Sequence, residues 1–169
     1  MNASLQTPRL FLIPLTLSQL QLCLKNLPAL ESELDLRISN EVITERVQRA
    51  IRMKIAKMNI TNESLHPWLT YWLVIVSAET TGVGLAGFKG VPDVEGITEI
   101  GYGIAPSHQN SGYMSEAVQA LVGWALQQPI CKVVTATEVQ NPASRRLLEK
   151  LGAHLVAKDE KSTSWEFRR

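Results

Sequence analysis

Residues 109–114 read Gln109-Asn110-Ser111-Gly112-Tyr113-Met114, and they stand between a β-rich run ending at Ile104 and a long segment that contains Glu116 to Ala125. In that segment Met114, Ala117, Val118, Leu121, Val122 and Ala125 share one helical face, and Gly112 opens it. The order strand, loop, helix matters. The first turn of a helix carries backbone N–H groups with no internal partner, and the helix dipole adds positive potential there. A pyrophosphate can rest on such amides, and a glycine at their edge lets it approach closely. Gly112 would serve a tight turn equally well, so the decision passes to the rest of the chain.

Upstream, Arg9 to Pro14 predicts a first strand, and Thr16 caps a helix that runs to about Leu27 and is ended by Pro28. From about Ser39 to Met58, the residues Val42, Ile43, Val47, Ile51, Ile55 and Met58 recur as on the buried stripe of a second helix. Three runs, 70–77, 82–88 and 97–104, then predict an antiparallel meander. Gly82, Gly84 and Gly87 spell the G-x-G-x-x-G of dinucleotide-binding folds. That reading fails because Phe88-Lys89-Gly90-Val91-Pro92 cannot start the helix the motif requires, so these glycines are expected to relieve crowding in a bent strand. Downstream, a strand over 131–139 leads to a short helix bracketed by Asn141 as N-cap, Pro142 at its first position and Gly152 as its stop. Two more strands, 153–159 and 162–167, close the chain.

Composition narrows the function classes. With 169 residues, 45% of them hydrophobic and 20% charged, the chain predicts one globular domain over 1–169. Net charge is +1 and no Lys/Arg run occurs, so direct nucleic-acid binding is not expected. Cys23 and Cys131 lie in apolar surroundings without a Cys/His cluster, which predicts buried reduced thiols and no metal. The chain has no 18-residue apolar window and no basic leader at its start, so a cytoplasmic location and no membrane contact are expected.

The order of elements, the Gln109 to Ala117 segment and the run Asn141-Pro142-Ala143-Ser144-Arg145-Arg146-Leu147-Leu148-Glu149-Lys150-Leu151-Gly152 together resemble the GNAT superfamily of acyl-CoA N-acyltransferases. The resemblance covers nearly the whole chain and is strongest to the Rim-type N-terminal acetyltransferases of ribosomal proteins. It implies an α+β fold with a central, mostly antiparallel, splayed sheet of about seven strands flanked by about four helices. It also implies acetyl-CoA as co-substrate. By the resemblance, the amides of Gln109, Asn110, Ser111, Gly112, Tyr113 and Met114 bind the pyrophosphate, Asn141 meets the pantetheine arm, and the backbone around Gly103 and Ile104 holds the acetyl carbonyl. The tyrosine that protonates the departing thiolate in many relatives aligns with Leu148, and Ser144, one turn earlier, is the substitute; its alternative is a solvated or back-bonded helix serine.

Acetylating an amine requires loss of its ammonium proton, a thioester carbonyl beside it and donors for the oxyanion. Glu99 is the candidate general base, since Glu99, Gly101 and Gly103 share one strand face while Thr98, Ile100 and Tyr102 share the other. Glu99 has the alternative of an exposed strand carboxylate, and Glu138 is the competing base, itself otherwise a surface charge. A thiol leaving group has a pKa of about 8.5, so a Ser144 hydrogen bond is acid enough. Trp68 and Trp72 are expected in the core or at the acceptor site, Trp124 and Trp165 in the core or at its rim, and His108 in a solvated loop. The acceptor amine is expected on a small molecule or a protein N-terminus, with the enzyme a monomer or homodimer. A CoA-binding sensor that lost its chemistry is the competing class.

Overall fold

Residues 4–169 are described by the computed structural model, so the first three residues of the expected domain lie outside the described part. Strands β1 (Leu5–Gln6) and β2 (Leu10–Pro14) lead to helices α1 (Leu17–Lys25) and α2 (Leu27–Leu34), strand β3 (Arg37–Ile38), helix α3 (Glu45–Asn59) and the short α4 (His66–Leu69). Strands β4 (Trp72–Val76), β5 (Thr81–Phe88) and β6 (Ile97–Ile104) form the meander; α5 (Tyr113–Gln127), β7 (Val133–Glu138), α6 (Pro142–Lys150), β8 (His154–Lys158) and β9 (Thr163–Arg168) follow. The sheet runs β1-β2-β4-β5-β6-β7-β9-β8, with β3 beside β5. Pairing is antiparallel except at β3·β5 and β6·β7.

The expected α+β class and splayed sheet are observed, with differences in element count. Thr16 does cap α1, in a reciprocal box with Gln19. Pro28 ends nothing by itself. It sits in the first turn of α2, where a missing N–H costs nothing, and Asn26 caps that helix by accepting from the Ala29 amide. The second expected helix begins at Glu45 rather than Ser39, because Thr44 takes up the Val47 amide, while Val42 is buried ahead of it in the core of this face. Among the described residues, helices α2 and α4 raise the helix number to six, and the two-residue β1 and β3 raise the strands to nine.

Glycines in β5 answer to packing. A Cβ on Gly84 would lie 2.6 Å from the Gly103 carbonyl oxygen, and one on Gly87 would lie 2.6 Å from that of Thr70. The strand is irregular where β4 and β5 shift register between Val74 and Ile75. One sheet face packs on α5 and α6 through Val83, Ile100, Val118, Leu121, Val134 and Leu148. The opposite face packs on α1, α2 and α3 through Leu73, Ile75, Leu85, Leu20, Leu30 and Ile51. Trp68, Trp72, Trp124 and Trp165 all belong to or pack on the first core, with Trp68 and Trp124 centroids 4.7 Å apart. Trp68 and Trp72 are therefore core residues and do not line an acceptor site. Cys23 and Cys131 are buried, and burial raises both thiols, Cys23 to about 11. Among the described residues no helix is long and apolar enough to cross a membrane.

Candidate active site

Strand β6 changes partner along its length. Ile100 to Ile104 pair antiparallel with Phe88 to Gly84, whereas Ile97 to Glu99 pair parallel with Val133 to Thr135. Beyond Glu99↔Thr135 the strands β6 and β7 part, and Ala136 to Glu138 pair only with β9. Alternation then decides which backbone groups look into the gap. The Ala105 amide donates to Val83 and the Glu99 carbonyl accepts from Lys89, so odd-numbered residues of β6 aim their backbone at β5. The Tyr102 and Ile104 amides aim the other way, into the opening. Of the expected pair Gly103 and Ile104, the Ile104 amide faces the opening and the Gly103 backbone is committed to the sheet with Leu85.

Side chains alternate too. Ile100, Tyr102 and Ile104 point to the α5/α6 face. Glu99, Gly101 and Gly103 point to the α1–α3 face, where Gly103 sits opposite Leu85; a Cβ on Gly101 or Gly103 would meet nothing within 4 Å. This is the glycine-lined surface expected beside Glu99. Glu99 is half-buried and pairs with Lys89 Nζ at 2.5 Å.

Across the opening stands α6. Asn141 caps it, its Oδ1 accepting from the Ser144 amide at 3.1 Å, which leaves the side-chain Nδ2 donors of this exposed residue unused by the cap. Ser144 Oγ lies 2.7 Å from Tyr102 Oη. Ser144 is thus partnered by a β6 side chain rather than back-bonded to its own helix. Tyr102 is the residue that sequence reasoning passed over, because nothing in a strand tyrosine announces a partner 42 positions away. Burial, and to a lesser degree the Glu138 charge, push its hydroxyl above the usual phenol value against the lowering effect of Ser144. Glu138 is only 6% exposed and accepts from the Asn141 amide on the α6 side, so it is no surface charge; it holds the turn into α6.

The loop before α5 forms as its residues dictate. Gln109 donates its amide to Pro106, closing a 3-10 turn, so that amide is not free. Asn110 and Gly112 take left-handed conformations, φ 61° and 76°, which turn the chain sharply into the helix. No side chain caps α5, so the amides of Tyr113, Met114 and Ser115 in its first turn have no intrahelical partner. The Met114 side chain is buried in the core, leaving only its backbone for a ligand. His108 is partly exposed but not free: Nε2 lies 3.0 Å from Glu79 Oε2 and Nδ1 lies 3.0 Å from Ser107 Oγ, which anchors the loop.

Arg9 was legible only as part of a strand. It donates to Ser111 O at 2.9 Å and to Glu116 Oε2 at 2.7 Å, and its guanidinium lies 4.7 Å from the Tyr113 ring centroid. A cation is thereby held at the helix N-terminus, where the dipole alone would repel it and an anion would be welcome. Thr7 Oγ1 donates to the same Glu116 at 2.6 Å. Burial raises the Glu116 carboxyl, but the Thr7 and Arg9 hydrogen bonds and the Arg9 charge outweigh it and hold the group below its ordinary value. Its stabilising effect is therefore present above the unfolded value of 4.5 and is lost as the pH falls through the lower folded value. Glu116→Gln should lower Tm at pH 7, with the gap to wild type closing below about pH 4.5 in a thermal-unfolding series.

The profile of the Acetyltransferase (GNAT) domain family matches residues 9–154, from Arg9 through the α5 loop and α6. The chain belongs to the GNAT acetyltransferase family. It is 36% identical over 95 residues to the uncharacterized N-acetyltransferase YjdG of Bacillus subtilis strain 168, a match that spans 56% of each chain. This GNAT fold is also that of RimL, a ribosomal-protein α-N-acetyltransferase solved with coenzyme A (17% identity, 98% of both chains, TM-score 0.67). The microcin self-immunity acetyltransferase MccE, solved with acetyl-CoA and AMP, shares it as well (14% identity, 96% of this chain and 94% of that one, TM-score 0.66).

Proposed function

We propose that this GNAT domain transfers an acetyl group from acetyl-CoA to a primary amine by direct attack of the amine on the thioester. The observation that carries this reading is the disposition of Glu99 and the Ser144–Tyr102 pair on opposite faces of β6, at the point where β6 and β7 separate. An amine reaching the opening over Gly101 meets Glu99, and a thiol leaving toward α6 meets Ser144. The residues present fit acetyl-CoA: free first-turn amides and Arg9 for its phosphates, Asn141 Nδ2 for the amide-bearing arm, and the Ile104 amide for the carbonyl.

In this mechanism the amine nitrogen bonds to the acetyl carbon and gives its surplus proton to Glu99, directly or through water. The Ile104 N–H donates to the carbonyl oxygen as it gains negative charge. The C–S bond then breaks, and the sulfur takes the Ser144 proton, which Tyr102 Oη replaces across their hydrogen bond and regains from solvent water as Glu99 releases its own proton to solvent. Raised by burial, Tyr102 keeps its proton at the mildly alkaline pH where amines are neutral. Lys89 Nζ, 2.5 Å from Glu99 Oε1, holds the carboxylate beside the open glycine surface.

The test is release of CoA from acetyl-CoA with a panel of peptides and small amines. Amine-dependent release is expected; saturable acetyl-CoA binding with no release to any amine would replace the enzyme by a CoA-binding sensor. Within an active enzyme, Tyr102→Phe should lower kcat about tenfold with KM for acetyl-CoA unchanged, and should add little to Ser144→Ala because the two act in series. Additive losses in the double variant would break the relay.

A further inference from the structure

Helix α3 concentrates charge that the near-neutral composition hides. It carries Arg46, Arg49, Arg52, Lys54 and Lys57 against one acid, Glu45. Arg46, Arg49, Arg52 and Lys57 are exposed, and no salt bridge to any α3 residue occurs among the described residues. At 100° per residue, Arg46 and Lys57 fall on the same edge of the helix, next to the inward-turned Lys54 and flanked by Arg49.

That edge lies close to the open glycine surface beside Glu99. Lys57 Nζ donates to the Lys89 carbonyl at 2.9 Å, and Lys89 is the residue paired with Glu99. Lys54 Nζ donates to Phe88 O at 2.8 Å and Leu69 O at 3.2 Å and lies 4.5 Å from the Tyr71 ring centroid. Tyr71 in turn borders Gly87, where a built Cβ would lie 3.5 Å from its Cδ1, and Gly87 pairs with Gly101 of the open floor. Arg46 is near enough for its charge to act on Tyr71. Neighbouring positions thus lead from the open Gly101, past the buried Gly87 that Thr70 and Tyr71 cover, to Tyr71 and Lys54 and on to Arg46 and Lys57. Lys54 is brought down to about 8 by burial first and the Lys57 charge second, so a negative group arriving beside it is favourable.

We propose that the acceptor is the N-terminus of an acidic peptide segment, its amine at Glu99 and its following carboxylates along the cationic edge of α3. Length favours a peptide over a small acidic amine. From Arg46 to Lys57 the edge runs about 17 Å at 1.5 Å per residue, enough to accompany about five extended residues. The inference rests on the acetyl-transfer reading for its chemistry, but its recognition step stands apart from turnover.

The experiment measures binding by fluorescence anisotropy, in the presence of CoA, of two decapeptides with free N-termini and a C-terminal label: one with glutamates at positions 2 to 6 and one with glutamines there. The acidic peptide should bind on the order of tenfold tighter at low salt. The preference should fall to about twofold in Arg46→Gln/Arg49→Gln and shrink in high salt, as expected for exposed charges. Equal binding of the two peptides, or a preference that survives the double variant, would overturn the proposal. So would displacement of the acidic peptide by an equimolar Ala-Glu dipeptide, which would mean a small-molecule acceptor, or by a single-stranded RNA of equal charge, which would mean unselective anion binding. Acetyl-CoA titration alone, run in parallel, separates a failure of this surface from a failure of the enzyme reading.

Discussion

Gly112→Asp is expected to weaken acetyl-CoA binding on the order of a hundredfold in a calorimetric titration, with little loss of folded structure. Gly112 has φ 76°, and the nearest atom to a built Cβ is the Arg9 guanidinium at 3.4 Å. Aspartate takes this left-handed conformation more readily than most side chains, so the backbone strain is less than for other non-glycine residues. Its carboxylate would stand about 5 Å from phosphates resting on the first-turn amides, a repulsion of about 3 kcal/mol per charge at an effective dielectric of about 20. It would also take Arg9 for itself. Unchanged affinity in a folded Gly112→Asp protein would remove the phosphate site from this loop and the acetyl-CoA reading with it.

Glu99→Gln should lower kcat by about a hundredfold at neutral pH, with acetyl-CoA affinity retained, because glutamine keeps the shape but accepts no proton. The deficit should narrow as the pH approaches the pKa of the acceptor amine, since the amine then arrives already neutral. Glu138→Gln provides the contrast. It should lower Tm, because Glu138 is buried and holds the Asn141 amide at the start of α6, and its effect on rate should not show that pH-dependent narrowing. A pH-rescued loss of rate in Glu138→Gln together with a fully active Glu99→Gln would reverse the two roles. The steady-state pH profiles of both variants decide this.

Much of the architecture was legible because it depends on local rules. Thr16 and Asn141 cap helices where a short polar side chain precedes a periodic apolar run. The α5 stripe from Met114 to Ala125 is buried as its spacing requires, and the alternation of β6 divides Glu99 from Tyr102 whatever the strand later pairs with. Pro28 was misread because a proline that closes one helix and one that opens the next look alike in sequence, and only the Asn26 cap distinguishes them. Of the two readings of Glu138, the surface charge fails for a similar reason: a carboxylate beside a loop is exposed unless the loop folds over it.

By itself, then, the sequence determined the element order, the glycine-turned loop at the start of α5 and the two faces of β6, because each follows from residue type and short-range spacing; the family entered as a resemblance carried by the Gln109 to Ala117 and Asn141 to Gly152 segments. Tertiary structure alone decided where β6 leaves β7, which backbone amides that leaves unpaired, the hydrogen bond of Tyr102 to Ser144, the Arg9–Glu116 latch and the nearness of α3's charges to Glu99. These pairings join residues as many as 107 positions apart. Contacts of that kind depend on how strands and helices stack, and no periodicity or motif within a segment encodes the segment it will meet.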